Sequence, residues 1–259
     1  MIRTALIALL LLGACGRPAM TSAPVSPGRV VSAAFADSNP VDWPGRRPDT
    51  YGVHGIDISK FQGQIDWPTA RAAGVNFAFV KATEGGDRID PQFAANREAA
   101  SAAGIPVGAY HFYYFCAPAA VQARWFIANV PRQRGALPPV LDLEWNPRSP
   151  SCTFRPDPAV VRAEARAFVA IIAAHYGQRP IIYTTPEFWR DNDLTQLAGE
   201  EFWLRATAEH PSGPYPAARW SFWQYSGTGI VPGVSGRTDL NAFAGSPADW
   251  ARWLAARRI

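Results

Sequence analysis

From Tyr51 onward, apolar runs of strand length alternate with longer stretches whose apolar residues recur at helical spacing. The runs predict strands over 55–59, 77–82, 106–112, 140–145, 180–184, 202–205, 221–225 and 237–241. Between the early ones, 90–103, 117–129 and 157–176 read as helices, the first closed by Gly104 and the third by Gly177. Alternating strand and helix predicts an α/β fold with a parallel sheet, and eight strands predict closure into an irregular TIM-like (β/α) barrel. After the fifth strand the connections shorten and lose helical pattern, so helices are expected to be missing on the C-terminal side.

Within the fourth run, PPVLDLEWNP places Asp142 and Glu144 two residues apart among apolar neighbours. A strand repeats its side-chain direction every second residue, so both acids emerge on one face. Charge beside Val140, Leu141, Leu143 and Trp145 is costly unless it is paired or put to chemical use. Paired carboxylates are how glycosidases work, although a solvated strand end would also accommodate them. In a barrel, function sits at the C-terminal strand ends, where Asp57, Glu84 and Asp239 join the pair. Such crowding of like charge opposes folding and is a known way to keep one acid protonated.

The N-terminus predicts the compartment. Arg3 precedes an apolar stretch from Ala5 to Leu12, and Leu12-Gly13-Ala14 runs into Cys15, the layout of a secretory signal too short to span a membrane. The tetrapeptide resembles a bacterial lipobox, which makes 1–14 a lipoprotein signal peptide and Cys15 the lipidated first residue of the mature chain. Gly16 resembles the sorting position of outer-membrane lipoproteins, so the expected location is the outer membrane facing the periplasm, with periplasmic or secreted as the alternative. Residues 15–50, rich in Pro, Ser, Ala and Gly, read as a disordered tether ahead of one domain over 51–259.

With 48% hydrophobic and 18% charged residues, the chain is neither disordered nor suited to coating nucleic acid, and its net charge of +4 is small. Setting Cys15 aside leaves Cys116 and Cys152, which in an oxidising compartment predict a disulfide clamping the loops around the acidic strand. The four histidines show no metal-ligand spacing, so neither a metal nor another cofactor is expected.

The segments HGIDISKFQGQIDW, FAFVKATEG, GIPVGAYHFYYF, PVLDLEW, PIIYTT, FWLRA and FWQYSGTGIVPGVSGRTDLNAF resemble, in order, those of the glycoside hydrolase family 25 lysozymes, the Chalaropsis-type muramidases. The resemblance implies an eight-stranded barrel with about five helices, acting as a monomer on peptidoglycan strands at the β-1,4 bond between N-acetylmuramic acid and N-acetylglucosamine. By position, Glu144 matches the family's general acid and Asp142 the other half of its acidic motif, expected to stabilise developing positive charge or orient a reacting group. Asp57 and Asp239 match the remaining two acids.

Aromatic faces pack on pyranose C–H surfaces, so Tyr110, Tyr183, Trp203 and Tyr225 are expected to bind substrate, together with Gln224 and Lys81. Most of the 10 Trp and 8 Tyr must fill the core. His111, by alternation, faces away from Tyr110 and is expected in the core. Two other readings stand beside the muramidase: a non-catalytic peptidoglycan-binding lipoprotein on the same barrel, and a metal-dependent deacetylase, whose paired histidine ligands are not offered here.

Overall fold

The computed structural model describes residues 29–259; the signal peptide and Cys15 lie outside them. In chain order the elements are β1 (Ala36–Asp37), β2 (His54–Ile58), α1 (Trp67–Ala72), β3 (Ala78–Glu84), β4 (Arg88–Ile89), α2 (Phe93–Ala102), β5 (Val107–Phe112), α3 (Ala119–Asn129), β6 (Val140–Leu143), α4 (Pro158–Tyr176), β7 (Ile181–Thr184), α5 (Pro186–Asn192), β8 (Glu201–Arg205), β9 (Trp220–Ile230), β10 (Thr238–Phe243) and α6 (Pro247–Arg257). Hydrogen bonding runs β9-β10-β2-β3-β5-β6-β7-β8, and pairing of β8 with β9 closes an eight-stranded barrel. The described residues hold six α-helices where about five were expected. Helices were expected to be missing after the fifth strand, β7; the short α5 follows it, and from β8 to β10 the strands succeed one another without an α-helix.

Within the barrel, one strand departs from the expected parallel arrangement. β10 runs antiparallel to both β9 and β2. Residues 231–237 are too few for the crossover a parallel return needs, so the chain turns back as a hairpin.

Alternation along the strands separates two cores. Phe77, Phe79, Val140, Ile181, Tyr183, Trp203, Phe222 and Phe243 belong to an inner cluster. It fits because neighbouring strands contribute glycine: a Cβ on Gly55 would lie 2.6 Å from the Phe77 ring, and one on Gly108 2.7 Å from the Phe79 ring. Trp250 on α6 packs against Phe77, Phe222 and Phe243, closing the end at which β3 begins and β10 ends. Leu141, Leu143, Val161, Phe168 and Ile172 belong to the outer cluster beneath the helices. α4 begins with Pro158 after Asp157 and stops at Gly177, whose φ of 73° is left-handed.

Residues 29–50 are not the free tether expected for 15–50. They climb the outside of the barrel and return. The Arg29 carbonyl meets Arg71, Val31 N–H donates to Asn76 Oδ1 (2.8 Å), and Ala34 N–H to the Ala73 carbonyl (2.8 Å). β1 then pairs antiparallel with β9, and Trp43 packs edge-on against Trp223 at 5.2 Å. The segment shows no apolar period because its anchors, Phe35, Trp43 and Pro48, act one at a time. A cavity of about 560 Å3 lies between the two arms of this strap and the sheet, lined in part by His54, Tyr225 and Leu240.

Cys116 and Cys152 are bonded, joining the segment after β5 to that after β6. The expected pairing is present, flanking the acidic strand.

Candidate active site

Four carboxylates converge at the C-terminal mouth of the barrel. Asp57 sits on β2, Asp142 on β6, Asp239 on β10, and Glu144 just beyond the end of β6. Antiparallel pairing sets Asp57 directly opposite Asp239. Asp142 is level with Phe112 on β5 and Tyr183 on β7, and Tyr183 is level with Trp203 on β8. The period of two that puts Val140 inside the barrel puts Asp142 inside as well.

Each acid is held above its usual range, and burial is the first cause in every case. Burial and then the charge of Asp239 push Asp57 well up; amide N–H bonds from Asn241 and Gln224 oppose this. Asp142 is pushed well up by burial and then by Glu144, with Lys81 opposing. Glu144 is pushed up to about 7 by burial; Arg205 pulls it down and Asp239 pushes it up. Asp239 is raised by burial, against a hydrogen bond with Asp57 and the charge of Arg205. Asp142 Oδ1 is buried and has no hydrogen-bond partner, an acceptor left unsatisfied within the acidic cluster.

The residues expected to bind substrate divide into three groups. Tyr110 lies among the acids: burial, then Asp57, Asp142 and Asp239, push its hydroxyl up. Lys81 also lies there, pairing with Glu84 at 2.6 Å while sitting 4.8 Å over the Phe112 ring. Tyr183, Gln224 and Trp203 are inside but serve each other. The Tyr183 hydroxyl donates to Gln224 Oε1 (2.8 Å), Gln224 Nε2 to Asp57 Oδ2 (2.9 Å), and Trp203 Nε1 to Asn241 Oδ1 (2.7 Å). Trp203 is only 2% exposed and stacks on Phe79 at 4.5 Å, so it offers no face to a sugar.

Tyr225 is a correction. It follows the inward Gln224 and therefore points outward, into the outer cluster and toward His54 Nδ1 (3.0 Å). Alternation, which excluded His111, excludes Tyr225 equally. His111 is buried between Thr83 and Gln122 and is pushed down to about 4, chiefly by burial.

Two functional residues escaped the sequence reading. Asn241 donates to Asp57 Oδ2 (2.8 Å) and stands two positions after Asp239, a spacing that could have revealed it. Arg205 ends β8 two positions after Trp203 and bears electrostatically on both Glu144 and Asp239. Phe61, 82% exposed, rides on a turn pinned by Gln62 Nε2 to the Arg237 carbonyl (3.0 Å) and by Lys60 N–H to Asp90 Oδ2 (2.8 Å). On the other side a small cleft is lined by Glu144, Tyr114, Trp145, Asn146, Phe154 and Arg155. Among the described residues no cluster of His, Cys, Asp or Glu is arranged to hold a metal ion, and no helix is long and apolar enough to cross a membrane.

A clustered set of desolvated acids, one of them titrating near neutrality, can donate a proton to a leaving oxygen and stabilise positive charge beside it. The model of the Glycosyl hydrolases family 25 matches residues 56–234. The chain is 40% identical over 210 residues to Lysozyme M1 of Streptomyces globisporus, covering 77% of this chain and 70% of that protein. A bacterial lysozyme from Streptomyces coelicolor superposes with a TM-score of 0.71 at 38% identity, covering 81% of this chain and 98% of the other. A family 25 glycosyl hydrolase from Bacillus anthracis gives 0.72 at 32% identity, covering 80% and 95%.

Proposed function

Because this chain belongs to the glycosyl hydrolases family 25, we propose that it is a muramidase, cleaving the β-1,4 bond between N-acetylmuramic acid and N-acetylglucosamine in peptidoglycan with Glu144 as general acid. The observation that carries this reading is Glu144 itself: half-buried at the mouth of the barrel and pushed up to about 7, it is the acid poised to give up a proton near neutrality.

Protonation of the glycosidic oxygen leaves positive charge growing at the anomeric carbon. Asp142, whose ground state is disfavoured as a carboxylate by burial and by Glu144, gains from that charge. A cation beside it favours the ionised form, so its attraction is larger in the transition state than before it. Asp57 and Asp239 complete the acidic wall, and Tyr110 and Lys81 stand where they can reach substrate. Asp142 Oδ1, unpaired in its buried position, suits a substrate N–H or a water.

The remaining proposals concern placement. The lipobox-like sequence at Cys15 supports a lipid-anchored protein of the cell envelope, at the outer membrane facing the periplasm, and the domain is proposed to act as a monomer. Incorporation of labelled palmitate that disappears in Cys15→Ala would test the anchor.

Mass spectrometry of muropeptides released from purified peptidoglycan tests the activity. Wild type is expected to yield fragments with reducing N-acetylmuramic ends, and Glu144→Gln to lose at least about a hundredfold in rate. Binding to the polymer without release by the wild type would overturn the enzymatic reading.

A further inference from the structure

Asp57 carries two oxygens with different company. Oδ2 accepts Asn241 Nδ2 at 2.8 Å and Gln224 Nε2 at 2.9 Å. Asp239 is the Cα partner of Asp57 across the antiparallel pairing, and its charge pushes Asp57 up. The orientation of the two amides is not arbitrary. The indole N–H of Trp203 can only donate, so the atom it meets at 2.7 Å must be the oxygen of Asn241. The NH2 of Asn241 is then forced toward Asp57, and Oδ2 must be an acceptor without a proton of its own. An acceptor there requires Gln224 to present its NH2 as well, which turns Oε1 to the Tyr183 hydroxyl at 2.8 Å. The circuit closes through the rings of Tyr183 and Trp203, 4.5 Å apart. All five side chains are buried, with Asn241 fully enclosed.

We propose that Trp203 and Tyr183 are positioning residues which, acting through Asn241 and Gln224, hold Asp57 Oδ2 as a proton-free acceptor and confine the proton shared with Asp239 to Oδ1. Any proton that Asp57 holds is thereby placed on Oδ1. Trp203 does this without touching substrate. Other charged or titratable groups of the site are Lys81 and Glu84 from β3, Asp90 beyond β4, Tyr110 from β5, Asp142 from β6, Glu144 just beyond it, and Arg205 from β8. None of them contacts Oδ2, so the relay is separable from them by mutation.

The sign of the effect follows. N–H donors favour the carboxylate. Removing the indole donor frees Asn241 to turn, weakens one of the two bonds to Oδ2, and makes the first ionisation of the pair harder. In Trp203→Phe the 13C carboxyl signal of Asp57 is expected to titrate at a midpoint higher by about half a unit or more, and the acidic limb of kcat to move up with it. kcat at the optimum is expected to fall about three- to tenfold while KM stays within about twofold, because the substrate's own contacts are untouched. Tyr183→Phe is expected to shift the midpoint in the same direction from the Gln224 side, and decides the matter if Trp203→Phe does not fold. Phe79→Leu, which loosens the packing on the indole but keeps its N–H, is expected to lower Tm and leave the midpoint in place.

A folded variant of either aromatic with an unmoved Asp57 midpoint and acidic limb would overturn the proposal. So would a shift in Phe79→Leu equal to that in Trp203→Phe, which would make the role one of packing alone. The kinetic arm rests on the muramidase reading and the carboxyl titration does not. An inactive wild type with a shifted midpoint in Trp203→Phe would sink the activity and leave the relay standing.

Discussion

Asp57 and Asp239 are Cα partners across the antiparallel pairing of β2 and β10, so two carboxyl groups share one face of one rung. Opposed like charges destabilise a sheet, and here burial adds to the cost. An acid whose folded pKa is raised costs stability progressively as pH rises from its unfolded value, near 4, through its folded one. Asp57→Asn removes that cost at pH 7 and is expected to raise Tm by roughly 2–4 °C while abolishing turnover. Calorimetry at pH 7 and at about pH 3 checks it: the gain must shrink at the lower pH, where both states largely hold the proton.

Glu144 sets the alkaline limit. Only its protonated form is useful, so kcat/KM is expected to fall as pH rises through about 7. Arg205 pulls that value down, and Arg205→Gln is therefore expected to carry the limb to higher pH by a measurable fraction of a unit. A limb that moves the other way would remove Glu144 from the role of acid.

The Cys116–Cys152 bond closes a loop with a sequence separation of 36. Loop-closure entropy puts its contribution at about 3–4 kcal/mol. The double substitution to serine is expected to lower Tm by roughly 10 °C. Since the closed segment includes Glu144 and part of the wall of the neighbouring cleft, activity near the melting transition should be lost before the barrel itself unfolds, as comparison of an activity assay with far-UV dichroism at rising temperature would reveal.

The strap over residues 29–50 is part of the fold. Starting the chain at Tyr51 would uncover Trp223 and His54 and remove β1 from the edge of β9. Trp43→Ala is expected to cost about 2 kcal/mol, because the partly buried indole packs on a fully buried one. Denaturant titration of the full chain, the variant and the shortened form would order them in that sequence of decreasing stability.

Phe61 is exposed on a turn held from two sides. A rigidly presented aromatic at the rim suits a pyranose face. Phe61→Ala is expected to raise KM about three- to tenfold with kcat and Tm nearly unchanged.

The barrel and its four acids were legible because each strand carries its own apolar run and each acid interrupts one. Alternation alone located Asp142 inside and His111 outside. The same rule, carried one residue further along β9, would have turned Tyr225 outward. Trp203 read as a sugar platform because an aromatic at a strand end looks the same whether its ring meets ligand or Phe79; only burial separates the two. The strap escaped because single anchors separated by polar residues produce no period. β10 read as another parallel strand because direction is written in the length of the preceding connection, not in the strand's composition.

The first contacts of the strap lie against Arg71, Ala73 and Asn76, where α1 ends and β3 is about to begin. That is the opposite end of the barrel from Asp57, Asp142, Glu144 and Asp239. Arg29, the first described residue, therefore lies behind the mouth of the barrel. Anything that gripped the barrel at that end would leave its open mouth turned the other way, toward material at a distance from the grip.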